Sequence, residues 1–130
     1  MENKYLARAK QLRSHPTIRY NCAQALLVTF ADVCGISEEK AFQLGSHFGG
    51  GMKMAATCGT ITSGLMVIGM MGGGDGQRQA FVSAMKESHG GLINCADLLK
   101  KNKEMGGEKK PHCDGMIYEA VSHIVQVMNL

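Results

Sequence analysis

The chain has little surplus charge and few aromatic rings. Fourteen Lys+Arg against 11 Asp+Glu leave a net charge of +3, and aromatic residues make up 5% of the sequence. A weak basic balance without aromatic rings offers neither the electrostatic footprint nor the stacking platform of a nucleic-acid binder. No apolar run is long enough to span a bilayer. Met1-Glu2-Asn3-Lys4-Tyr5 lacks the apolar core of a signal peptide, so the expectation is a soluble cytoplasmic protein with no membrane partner. Neither glycine run carries the lysine and Ser/Thr of a phosphate-binding loop, and none follows a strand. There is no internal repeat and no alternation of strand and crossover helix.

The patterning that is present is helical. Residues 2–14 carry Tyr5, Leu6, Ala9 and Leu12 on one stripe, and Pro16 ends the run. Asn21 is a good N-cap for a second helix from Cys22 to about Val33, with Gly35 as its C-cap. Ala23, Leu26, Leu27 and Phe30 are its buried face. Ser37, followed by two acids, opens a third helix with Ala41, Phe42 and Leu44 inside. The triplet Gly49-Gly50-Gly51 breaks it and permits positive φ.

A fourth helix starts near Thr57 and contains Gly59, Gly64 and Gly69. Interior glycines cost up to about 1 kcal/mol each, so they mark flat surfaces where a backbone or a cluster comes close. A fifth helix spans Gln77 to Ser88, and a short one carries Cys95 behind Asn94 as cap. Lys100 to Lys110 reads as an exposed basic loop, with a weak anion-binding face as the lesser alternative. The last helix starts at His112-Cys113. The expected architecture is all-α: a single helical domain over residues 1–130, of about five long helices plus short ones, with glycine-rich turns.

The main functional signal is thiol chemistry. A chain of this length needs no disulfide staples, and in a reducing cytoplasm several cysteines point to metal binding or redox work. Of five cysteines, Cys34 lies at a helix tail and reads as a buried spectator. Cys22, Cys58, Cys95 and Cys113 each read as standing at a helix head, where free N–H groups and the helix dipole favour the thiolate. They are far apart along the chain, nowhere in the Cys-x-x-Cys spacing of zinc ribbons or ferredoxins. Only the fold can bring them together. His47, His89 and His112 fall near these segments as secondary candidates, and the methionines fall at core spacing. No nucleophilic triad or paired carboxylates stand out, so no catalytic residue is assigned beyond the thiols.

The segments Asn21-Cys22-Ala23-Gln24-Ala25, Phe48-Gly49-Gly50-Gly51-Met52, Cys58-Gly59 with Ser63-Gly64, Asn94-Cys95 with Leu98-Leu99, and Cys113 resemble the redox-active protein family named for its C…GCAxxG…C…C pattern, over about residues 5–125. Thr60 departs from it, since the family usually has alanine after Cys-Gly. The resemblance implies that Cys22, Cys58, Cys95 and Cys113 are the ligands or redox thiols, and Gly59 a backbone close to the bound group. Related domains in split-Soret-type cytochromes, where a cysteine-bound iron–sulfur centre has been proposed, point to an iron–sulfur cluster for electron transfer or redox sensing. The alternatives are a zinc or copper(I) site, structural or for storage, and a metal-free thiol–disulfide protein. The glycine-lined helix faces would suit a homodimer, and the electron-transfer partner is unidentified.

Overall fold

A computed structural model describes residues 3–130. Seven α-helices follow one another: α1 (Lys4–Arg13), α2 (Cys22–Cys34), α3 (Glu38–Gly45), α4 (Gly59–Met70), α5 (Asp75–Ser88), α6 (Cys95–Glu104) and α7 (Lys109–Val127). A tight left-handed turn, Gly51–Ala55, lies between α3 and α4. Among the described residues there is no strand, only an isolated antiparallel bridge between Thr57 and Asn94. No described helix is long and apolar enough to cross a membrane. The chain is thus all-α, as its patterning predicts. The count of about five long helices is not matched, because the helix at Cys95 has ten residues, as many as α1.

Two differences concern the ends of α6 and α7. The basic stretch Lys100–Lys110 is not one loop: α6 continues to Glu104 and α7 begins at Lys109. Lysines and glutamates are good helix formers, and the break falls near Gly106, which has φ +80°. Pro111 does not delay α7, because it sits in the first turn, where proline's missing N–H costs nothing.

α2 organises the core. It packs against α1, α3, α4 and α7. Its residues Ala23 to Ala31 are buried without interruption, so it is enclosed on all sides rather than on one face. Phe30, Leu26 and Leu27 from α2 join Leu12, Val67, Phe81, Met85, Ile117 and Ile124 in one apolar cluster. Met85 and Met116 are core residues, whereas Met70 is 38% exposed and Leu44 of α3 is 44% exposed. Gly64 lets α5 approach α4, since a Cβ there would strike the Phe81 ring. Gly69 has nothing within 4 Å.

Candidate functional site

The starts of α2, α4 and α6 and the second turn of α7 meet at one cavity of about 390 Å³, and Cys22, Cys58, Cys95 and Cys113 all line it. All five cysteines are free thiols. Cys34 does not line the cavity; its thiol lies 3.9 Å from the Val67 carbonyl at the far end of α2.

Each thiol is placed by local structure. Cys22 is the first residue of α2, behind a complete capping box: the Asn21 side chain accepts from the Gln24 N–H at 2.8 Å, and the Gln24 side chain accepts from the Asn21 N–H at 3.0 Å. The spare amide groups then donate to α3, Asn21 Nδ2 to the Gly45 carbonyl and Gln24 Nε2 to that of Phe42, both at 3.1 Å. Cys58 is the N-cap of α4 and Cys95 the first residue of α6. The Thr57–Asn94 bridge ties these two starts together: the Cys58 N–H donates to the Ile93 carbonyl at 2.8 Å, and the Cys95 N–H to that of Ala56 at 2.6 Å. Asn94 stands at the cap position, yet its side chain makes no capping bond. Cys113 is not at a helix head. It lies inside α7, one turn beyond Lys109, because the helix starts earlier than Pro111 implies.

Arg13 of α1 clamps the arrangement. Its guanidinium bonds the Asp114 carboxylate beside Cys113 and donates to the Tyr20 carbonyl, two residues before Cys22, at 2.7 Å. Gly59 lines the cavity too. A Cβ there would lie 2.5 Å from Cys22 Sγ and 2.8 Å from the Phe48 carbonyl, so the Cys22 sulfur rests against this backbone.

The electrostatics run against three of the expected thiolates. Burial pushes the thiols of Cys58, Cys95 and Cys113 up, Cys113 to about 11, and desolvation is the largest cause at each. At Cys58 the push is opposed by Thr60, whose buried hydroxyl lies 3.2 Å from Sγ. Negative charge on Cys22 adds to the rise at all three, which makes Cys22 the common neighbour of the quartet. Thr60 was missed as a site residue by sequence reasoning. A hydroxyl two residues after a cysteine that caps a helix is the signal that would have found it.

The cavity rim carries cations that the sequence did not single out. Arg13, Lys53 and Lys109 line it, and no described aspartate or glutamate does. Lys53 sits in the left-handed turn, where Gly50, Gly51, Met52 and Lys53 all have positive φ. Two of these are non-glycine residues held in a conformation that costs about 1–2 kcal/mol each, a kind of strain found at functional sites. Of the histidines, His112 lines the cavity. His89 instead pairs with Glu119 at 2.8 Å, and His47 is exposed away from the cavity.

Thiols are suitable donors for a soft metal. As the side chains stand, however, no three His, Cys, Asp or Glu among the described residues are grouped so as to hold an ion. A cluster or zinc ion would need the four thiols to draw inward.

No curated protein and no solved structure matches the chain. The model of one family matches residues 20–127, nearly the whole chain and all four cavity cysteines. The chain belongs to that family, described as putative redox-active protein (C_GCAxxG_C_C).

Proposed function

We propose that the protein is a thiol–disulfide redox protein in which Cys22 and one cavity partner cycle between dithiol and disulfide. The observation that carries the reading is four free thiols around one open cavity, with the charge of Cys22 felt at each of the other three. Cys58 is the leading partner, because the Cys22 sulfur rests on Gly59, the residue after it.

The exchange balances as follows. The Cys22 sulfur, deprotonated, attacks one sulfur of a substrate disulfide. The substrate S–S bond breaks, and the departing thiolate takes up a proton. The second cysteine then attacks Cys22 of the mixed disulfide and gives up its own proton, and the other half of the substrate leaves as a thiol. Two protein thiols have become a disulfide, and two electrons have passed to the substrate. A dithiol donor returns the protein to its reduced form. Thiols whose charged form is disfavoured by burial lack the thiolate stabilisation that makes a disulfide oxidising, so the site runs as a reductant. That direction suits a reducing cytoplasm.

A second reading, an iron–sulfur centre, is favoured by the same gathering of four soft donors. One experiment separates the two. The protein is purified without oxygen, its visible spectrum recorded, its iron, zinc, copper and acid-labile sulfide measured, and its thiols counted before and after mild oxidation. The expected result is a colourless protein that loses two thiols on oxidation and regains them with a dithiol, with Cys22→Ser abolishing the loss. Stoichiometric iron with labile sulfide and visible absorption would overturn the dithiol reading in favour of the cluster. Stoichiometric zinc or copper would overturn it in favour of a structural or storage site.

A further inference from the structure

We propose that the cavity selects an anionic substrate: a small disulfide carrying carboxylate or phosphate groups, held by Lys53 and Lys109. The inference rests on the thiol–disulfide reading and supplies its substrate class.

Three cations and no described carboxylate line the cavity. Arg13 is paired with Asp114, a carboxylate it shares with Lys110. Lys53 and Lys109 have no ion-pair partner among the described residues. Both are exposed, so neither ammonium is held in place by packing. They belong to different elements, the left-handed turn and the start of α7, and both line the cavity that holds the thiols. The Lys109 charge reaches Cys95, where it opposes the upward push of burial. A disulfide set against Cys22 would share the cavity with two uncompensated positive charges and an apolar wall that includes Leu98, Leu99 and Met116. A cleft lined by one sign of charge concentrates ligands of the other sign and speeds their arrival. A neutral disulfide gains nothing from that field. A cationic one is repelled.

The test compares two chromogenic disulfides of similar size, dithiobis(nitrobenzoate), which is dianionic, and dithiodipyridine, which is neutral. The reduced protein is mixed with each, and the rate of two-thiol oxidation is followed for the wild type, the Lys53→Gln/Lys109→Gln double variant and Lys86→Gln, whose lysine lies outside the cavity. The expected result is a fall of about ten-fold in the dianionic-to-neutral rate ratio in the double variant. Lys86→Gln keeps the wild-type ratio, and added salt lowers the wild-type ratio toward that of the double variant. Both disulfides reacting with a ratio that neither the double variant nor salt moves would overturn the anionic preference and leave the dithiol chemistry standing. Failure of both probes to close a protein disulfide would overturn the dithiol reading and this inference with it. Both lysines are exposed, and unchanged helical circular dichroism confirms that the variants fold.

Discussion

At the scale of single residues, the site depends on atoms that touch sulfur. Thr60 is fully buried, and its hydroxyl is hydrogen-bonded to Cys58 Sγ. A buried hydroxyl must donate somewhere, and donation to sulfur favours the thiolate. Thr60→Val removes that donor at nearly constant shape. The pH midpoint for alkylation of Cys58, read by peptide mass spectrometry, is expected to move up; an unchanged midpoint would deny Thr60 any influence on the thiol. Gly59→Ala tests packing instead. Its Cβ would meet both Cys22 Sγ and the Phe48 carbonyl, and the carbonyl is fixed backbone. The sulfur must therefore move, at a cost of about 1–3 kcal/mol in urea unfolding, the usual range for overpacking. A cost under about 0.5 kcal/mol would show that the contact is soft. Neither partner was readable from the sequence. Thr60 stood out only as a departure from the family's alanine, and Gly59 only as a backbone near some bound group.

At the scale of elements, helix starts govern where the thiols lie. Those starts were legible where the signal is local. Asn21 caps α2, Ser37 caps α3 through a 3.0 Å bond from the Lys40 N–H, and Gly35 closes α2 in the left-handed conformation at φ 74°. They were misread where a longer-range factor decides. The sequence places the start of the last helix at His112-Cys113, but α7 begins at Lys109, because a proline in a first turn is compatible with the helix. Cys58 and Cys95 are fixed by backbone bonds between two segments far apart in the chain, which no local pattern shows. Arg13 spans such a distance too, from α1 to the residues flanking Cys22 and Cys113. Arg13→Met keeps the length and removes the charge. It is expected to destabilise by about 1.5–3 kcal/mol, the range for bonds to charged groups. Burial raises the Asp114 carboxyl, but its bonds to Arg13 and Lys110 outweigh this and hold it low. Its contribution to stability is therefore present above the ordinary carboxylate range and lost as pH falls through the folded value. In Arg13→Met the acid limb of a stability–pH curve should flatten; a curve parallel to the wild type would separate Arg13 from Asp114.

At the scale of the molecule, helical periodicity fixed the fold class because it repeats every few residues. The cavity joins four elements and has no period, so no spacing rule finds it. Family resemblance named its cysteines but not its cations. Bringing the thiols together has a global cost in alkali. Burial pushes the Cys113 thiol up to about 11 in the folded protein, from 9.0 for an ordinary thiol. Between those values the unfolded chain has released a proton that the folded protein keeps, so stability falls as pH rises through that window. Urea unfolding at about pH 8 and about pH 10 should show the loss in the wild type and a smaller one in Cys113→Ala. Equal losses would mean that Cys113 is not the group responsible.

The left-handed turn at Gly50–Lys53 makes the protein improvable in one respect and worse in another. Mirror-image backbone is natural to glycine and to a D-residue, and foreign to Met52 and Lys53. Lys53→Gly should therefore make the protein harder to unfold, by up to about 1 kcal/mol, while stripping one charge from the cavity mouth. A library screened for thermal tolerance alone would be drawn toward that change, and one screened for turnover of acidic disulfides would be drawn away from it.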